Sequence, residues 1–349
     1  MKSSNGSVRW KECCNRMNPA GMNRQWKRRS LEGVAAQLAS PFPMTAALIR
    51  LRECGSLLDK GLLLFCTVWA GILITLNYTL GIESGMIKGL DSRWHQCAAL
   101  FLVYCSAFVI PYGFAVVFRR HLIAATPLFW LLLLIVPALF AVKASAANPL
   151  ENQIDGVWGN YWTIVTTLPF KLLVVLAPLI VLQRWFPEQP GFWGLTLRNV
   201  RWRPYGLMLL MMVPLIAYAG TQPDFLAAYP RLKQIAFIAP HTEHFGWFQL
   251  LYEVSYGIDF VTIELFFRGF LIFAFARYAG PAAILPMAVF YCSVHFGKPL
   301  LECISSFFGG LILGVVAYQT RSIAGGLAVH LGIAWMMEVS AYAGNVRSG

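Results

Sequence analysis

Long apolar runs recur along this chain from residue 61 onward, and they constrain its fold more than any other feature. Each run is near the ~20 residues that an α-helix needs to cross ~30 Å of bilayer hydrocarbon. A crossing segment must satisfy its own backbone hydrogen bonds as a helix or join a closed barrel, and the alternating pattern of barrel strands is absent from this sequence. With 58% hydrophobic and 13% charged residues, the chain has more apolar surface than a water-soluble core buries. We predict an all-α fold, a polytopic membrane helical bundle with about eight or nine transmembrane helices.

The apolar runs divide the chain into three predicted regions. These are a basic cytoplasmic tail (1–60), an N-terminal transmembrane block with a cytoplasmic loop (61–203), and a transmembrane core (204–349) that carries the polar motifs within 247–342. Nine runs qualify as spans: residues 61–82, 96–118, 122–142, 158–182, 204–220, 247–275, 281–296, 301–319 and 323–342.

The basic residues indicate how the spans are oriented. When the loops are assigned alternately to the two sides, nineteen Lys and Arg fall on the side of the N-terminal tail and six on the other. Cytoplasmic loops carry this excess, so we predict a plasma-membrane protein with a cytoplasmic N-terminus and an external C-terminus. The net charge of +12 is then a topology signal and not a sign of nucleic-acid binding. The eight cysteines are scattered without a CxxC pair, which argues against a zinc–thiolate site or a disulfide framework.

Ionisable side chains inside the predicted spans are the candidates for function. A charge at membrane depth costs several kcal/mol unless it is partnered, so such residues usually face the bundle interior. Glu264 and Arg268 lie four residues apart on one helix face, which fits either an ion pair with a structural role or a functional pair at mid-membrane, about 17 Å from the cytoplasmic end. His295 and His330 lie about 21 Å and 10 Å deep by the same count, and each fits a structural, hydrogen-bonded residue or a catalytic one.

Two further carboxylates, Glu302 and Glu338, could join this site or lie near the membrane surface. Neutral imidazoles beside a carboxylate can polarise a water molecule, and burial moves a carboxyl group toward general-base behaviour. The same atoms can also hold a divalent metal such as zinc, in which case the ligands would be His295, His330 and Glu264. The sequence does not require a metal.

Three motifs in order, Glu264-xxx-Arg268-Gly269, then Tyr291-xxx-His295, then His330, resemble those of the CPBP intramembrane protease family. That family includes CAAX prenyl endopeptidases and bacteriocin-processing or self-immunity proteins, and the likeness covers roughly 247–342. The resemblance implies a helical membrane bundle whose glutamate and histidines activate water to cleave a peptide bond. It assigns Glu264 to the second of the family's paired glutamates, Arg268 to its arginine, and His295 and His330 to its histidines.

The sequence departs from the family pattern at two positions. Ile263 stands in place of the first glutamate, which is usually held to activate water, and Ala334 stands in place of an asparagine or aspartate after the last histidine. Either Glu264 has become the base, or Glu302 or Glu338 supplies the carboxylate, or cleavage has been lost. Adjacent helical residues point about 100° apart, which limits the first option.

We therefore expect an intramembrane endopeptidase acting on a peptide or a membrane-associated substrate, including a prenylated one. Its partners would be this substrate and the lipid bilayer; the sequence leaves the oligomeric state open. The alternatives are a catalytically degenerate relative that acts as a binding, immunity or scaffold protein, and a small-solute transporter that uses the same buried groups.

Overall fold

The computed structural model describes residues 58–151, 153–187, 189, 191–198 and 200–348. The predicted basic tail therefore lies, except for its last three residues, outside the described residues. Helix boundaries in the described part of the chain are α1 (Lys60–Leu80), α2 (Arg93–Phe118), α3 (Pro127–Ser145), α4 (Gly156–Gln183), α5 (Trp202–Ala219), α6 (Pro223–Ala228), α7 (Phe245–Glu264), α8 (Ile272–Ala279), α9 (Ile284–Ser293), α10 (Leu300–Thr320) and α11 (Ala324–Ser348). No β-strand occurs among these residues, so the predicted all-α polytopic bundle is confirmed.

Non-α helical segments connect several of these elements. Two are π-helical, Ile82–Ile87 after α1 and Leu265–Leu271, and three are 3-10 helices, Arg120–Leu122, Arg231–His241 and Gly280–Ala283. The π segment Leu265–Leu271 joins α7 to α8 without a break, so Phe245–Ala279 forms one continuous helical stretch. π-helical turns are rare and frequently occur at functional sites.

Short polar side chains start several of the apolar helices. The Asp59 carboxylate accepts a hydrogen bond from the backbone N–H of Leu62 at 2.8 Å at the start of α1. The Thr126 hydroxyl accepts from the N–H of Phe129 at the start of α3, where Pro127 follows as the first helical residue. These caps satisfy backbone donors that the first helical turn leaves without intrahelical partners.

Seven of the described helices are long and apolar enough to cross a membrane. They are α1, α2, α3, α4, α5, α10 and α11. Each matches one of the nine predicted spans. An eighth predicted span, 247–275, falls within the continuous stretch Phe245–Ala279.

The ninth predicted span, 281–296, is shorter than predicted. It consists of a 3-10 turn, Gly280–Ala283, followed by the ten-residue helix α9, whose residues are all buried. A helix of ten residues is about 15 Å long, half the thickness of the hydrocarbon. The apolar run therefore reflects burial inside the protein and not contact with lipid.

Helix α9 lies in the core of the bundle, packed against α1, α2 and α10. Aromatic rings surround it: Phe290 of α9 lies 5.4 Å from Phe108 and 5.8 Å from Phe140, measured between ring centroids. Elsewhere α7 packs on α4, and α11 packs on α5 and α7. These contacts bring the end of α7, the end of α9 and the first turns of α11 together.

Candidate active site

Glu264 and Arg268 form the buried centre of the site. Glu264 is the last residue of α7 and Arg268 lies in the π segment, and the side chains of both are 0% exposed. The guanidinium Nη1 of Arg268 lies 3.3 Å from Glu264 Oε1, so the predicted four-residue pair forms. The guanidinium also lies over the ring of Tyr291, 3.8 Å from its centroid, a favourable position for a cation.

His330, from the second turn of α11, completes this pair. Its Nδ1 lies 3.0 Å from Glu264 Oε1, the same oxygen that Arg268 approaches. A carboxylate only accepts hydrogen bonds, so Nδ1 donates and the neutral ring presents Nε2 as an acceptor. The Tyr291 hydroxyl lies 3.2 Å from this Nε2. The His330 side chain is 15% exposed, so it is the solvent-accessible member of this group, whereas Glu264 is fully buried.

His295 joins the same group through Tyr291. It follows the end of α9, and its Nδ1 lies 3.0 Å from the backbone carbonyl oxygen of Tyr291. The two rings also pack edge to face, with centroids 4.7 Å apart. Because the carbonyl accepts the bond from Nδ1, the Nε2 of His295 points away from the helix end as an acceptor. The four predicted residues thus meet around Tyr291.

The two auxiliary carboxylates lie elsewhere, and the structure does not bring them to Glu264. Glu338 on α11 accepts hydrogen bonds from the backbone N–H groups of Arg231 and Leu232, at 2.7 and 3.1 Å. Glu302 on α10 accepts from the hydroxyl of Tyr229, which lies 3.0 Å from both carboxylate oxygens. Both glutamates therefore hold the chain at 229–232, where the 3-10 helix Arg231–His241 begins.

The metal hypothesis is not matched by the geometry of the side chains. Within the described ranges, no three His, Cys, Asp or Glu side chains are grouped so as to hold a metal ion. Both ring nitrogens of His330 are already engaged, by Glu264 and by Tyr291. The site residues present do not fit a metal centre, and no chemical step is assigned to one.

Sequence reasoning missed Tyr291 as a functional candidate and missed one buried ion pair. Lys143 of α3 donates to the Asp259 carboxylate of α7 at 2.7 Å, with side chains 8% and 28% exposed. Lys171 of α4 donates to the carbonyl oxygen of Ala144, at the end of α3, at 3.1 Å. Charges within apolar runs were the available signal for Lys143 and Asp259, whereas an aromatic residue such as Tyr291 gives none.

The loop after α4 closes one side of the site. Trp193 is fully buried and donates its indole N–H to the carbonyl oxygen of Leu179 at 3.0 Å. Its own carbonyl oxygen lies so close to Gly269 that a Cβ at that position would meet it at 2.5 Å. The glycine that follows Arg268 in the motif is therefore required by the approach of this loop.

A comparison with known families matches the segment that carries these residues. A family model described as "Type II CAAX prenyl endopeptidase Rce1-like" matches residues 245–336, from the start of α7 to the middle of α11. No curated protein and no solved structure matches the chain. The seven long apolar helices indicate a multi-pass membrane protein, and its segment 245–336 is similar to a protease family. This match agrees with the CPBP resemblance that the three motifs predicted.

Proposed function

We propose that this protein is an intramembrane endopeptidase of the CAAX type, which cleaves a peptide or a membrane-associated protein, including a prenylated one. The observation that carries the proposal is the chain of contacts from Glu264 through His330 to Tyr291, built from three separate helices. A carboxylate that fixes one imidazole nitrogen and leaves the opposite nitrogen as an acceptor is an established way to prepare a general base. In this structure the Tyr291 hydroxyl lies 3.2 Å from that acceptor, and in the proposed mechanism the water takes its place.

In the proposed mechanism His330 is the base. A water molecule beside Nε2 gives up a proton to that nitrogen as its oxygen bonds to the carbonyl carbon of the substrate. The C–N bond then breaks, and the proton passes from Nε2 to the departing amine. Glu264 stabilises the imidazolium that forms between these steps, and His295, whose Nε2 is an acceptor, helps to bind the water.

This assignment differs from the expectation that Glu264 itself activates the water. Its Oε1 is engaged by His330 and Arg268, and its Oε2 is sealed from solvent. A fully buried carboxylate cannot touch a water molecule that also reaches the substrate. Glu264 is therefore proposed as the residue that orients His330, and Arg268 as the cation that balances the buried charge of Glu264.

A degenerate relative that only binds peptides is the second candidate, favoured by a specific observation. Ile263, half-buried on α7, occupies the place of the family's first glutamate, and Ala334 on α11 is buried where the family has an amide or a carboxylate. A protein of this kind would hold a peptide in the same site as an immunity or scaffold protein without hydrolysing it.

One experiment separates the two candidates. The purified protein in nanodiscs is offered a fluorogenic peptide with a farnesylated cysteine three residues from its C-terminus, together with the unprenylated peptide as control. Cleavage by the wild type that is lost in His330→Gln supports the peptidase. A silent wild type together with an active Ile263→Glu variant indicates the degenerate relative, and the peptidase proposal would be withdrawn.

We further propose that the protein resides in the plasma membrane with its N-terminus in the cytoplasm and its C-terminus outside. The distribution of basic residues supports this orientation. Reporter fusions at the two ends that give the same side would overturn this topology.

A further inference from the structure

The turn between α9 and α10, residues 294–299, carries His295 and is held by a helix far away in the sequence. The buried side chain of Asn77, near the end of α1, donates from Nδ2 to the carbonyl oxygen of Phe296 at 3.0 Å. The hydroxyl of Tyr78 donates to the carbonyl oxygen of Lys298 at 2.5 Å. Two consecutive residues of α1 therefore bind the backbone one and three residues beyond His295.

A third contact closes the same interface. Gly297, between the two bound carbonyls, lies so close to the Glu83 carboxylate that a Cβ on it would meet an oxygen at 2.4 Å. Asn77 links the two sides, because its Oδ1 accepts the backbone N–H of Glu83 at 3.0 Å while its Nδ2 holds Phe296. The Asn77 amide thus binds the turn through its Nδ2 and the residues after α1 through its Oδ1.

The remaining hydrogen bonds of His295 are local, and its carbonyl oxygen accepts one from the backbone N–H of Lys298 within the turn. Its backbone N–H donates to Cys292 and its ring to Tyr291, both within the end of α9. These local bonds set the direction of the ring relative to α9. They do not set how far the turn advances toward His330, which depends on what holds the turn from outside. The Lys298 ammonium contacts Tyr229 and Glu302, whereas the backbone of the turn is held by side chains of α1.

We propose that Asn77 and Tyr78 are positioning residues for His295, so that α1 is a working part of the active site although it lies outside the matched segment 245–336. This inference rests on the proposed function, since it assigns His295 a role in the reaction. A backbone held at two carbonyls keeps a side chain within the small tolerance that catalysis needs.

The test uses Tyr78→Phe, which keeps the ring and removes the hydroxyl that binds the Lys298 carbonyl and also lies beside the thiol of Cys303. The matched control is Trp69→Phe, on the same helix, which removes the indole bond to the carbonyl oxygen of Ser106 at 2.9 Å and leaves the turn untouched. We expect Tyr78→Phe to lower kcat by about tenfold with KM changed less than twofold, because the defect is in geometry and not in binding. The control should keep both constants.

A second readout does not depend on activity. With 13C-labelled histidine, the imidazole signal of His295, assigned by its loss in His295→Gln, should shift in Tyr78→Phe and in Asn77→Asp, while that of His330 stays in place. An unchanged His295 signal, or a shifted signal with unchanged kcat, overturns the inference. A wild-type protein without activity overturns the proposed function and the catalytic role of the turn, and the spectrum then still decides whether α1 holds His295.

Discussion

Two regions of this bundle contain buried glutamates, and they use them differently. Around Glu338 each carboxylate oxygen accepts a backbone N–H, from Arg231 and from Leu232. Around Glu264 one oxygen is shared by an imidazole and a guanidinium, and the other has no hydrogen-bond partner in the protein. Both residues are buried glutamates on apolar helices, so the partners of the oxygens distinguish a structural carboxylate from a candidate catalytic one.

The chemistry of the partners sharpens this difference. Backbone amides, which hold Glu338, and a tyrosine hydroxyl, which holds Glu302, do not exchange protons readily near neutral pH. An imidazole does, so a proton can arrive at and leave His330 while Glu264 remains in place. Only the region around Glu264 can therefore take part in a proton-transfer step.

The largest effect is expected from Glu264→Gln. The amide keeps the shape of the side chain but loses the negative charge that stabilises a protonated His330. We expect kcat to fall by a factor on the order of 10²–10⁴, measured as peptide cleavage in nanodiscs. Thermal unfolding in the same preparation serves as the control for folding. Near-normal cleavage by a folded Glu264→Gln protein would remove the distinction between the two regions.

Arg268→Ala is expected to act on stability first. It leaves the Glu264 charge buried without its cation, and breaking a buried ion pair in this way costs about 3–5 kcal/mol. The free energy of unfolding, measured by titration with a denaturing detergent, should fall by this amount. Arg321→Ala, which removes a guanidinium near the loop after α4, provides a comparison outside the site. A loss no larger than in that comparison would mean that Arg268 is not needed to balance Glu264.

Glu338→Leu tests the region around Glu338. It removes the acceptor of two backbone N–H groups, and each buried donor left without a partner costs about 1–3 kcal/mol. We expect faster proteolysis within residues 229–241 and a lower melting temperature. The kcat per folded molecule should stay within about twofold of wild type, since Glu338 does not reach the site. A selective loss of kcat without loss of stability would indicate that Glu338 takes part in catalysis.

The smallest effect is expected from Tyr291→Phe. The hydroxyl of Tyr291 occupies Nε2 of His330, the atom that the proposed mechanism assigns to the water. Removing it frees that nitrogen and sacrifices one hydrogen bond, worth about 0.5–1.5 kcal/mol. We expect cleavage to be retained or to rise up to about threefold, with a small drop in melting temperature. A large loss of cleavage would assign the hydroxyl itself a part in the reaction.

Much of the site follows from local rules that a sequence carries. The four-residue spacing of Glu264 and Arg268 defines a shared helix face, and the cost of charge in hydrocarbon directs both side chains inward. Helical rise gives the depth of each residue but not the rotation of its helix about its own axis. Glu302 and Glu338 could therefore be assigned a level, whereas their direction depends on contacts with residues 229–232, some 70 to 110 positions away.

Helix α9 shows a second limit. Its sequence is as apolar as a lipid-facing span, because side chains packed inside a protein and side chains facing lipid are selected for the same property. The structure surrounds it with α1, α2 and α10, which long-range packing decides. The role of Tyr291 was hidden for the same reason, since its ring belongs to this apolar run and its contacts with the two histidines depend on how the helices pack.

The π segment Leu265–Leu271 makes the length of the chain at this point as important as its composition. A π turn contains more residues than an α turn, so deleting one residue there would allow a regular α-helix to run through. Ile272 and the residues after it would keep their faces, because the wide turn had absorbed the extra residue, whereas side chains inside the segment would rotate by up to about 100° about the helix axis. Arg268 would then leave its place over Tyr291 while α8 kept its face toward the core. The extra residue in this segment therefore sets the direction of Arg268 without changing the packing of the helix that follows.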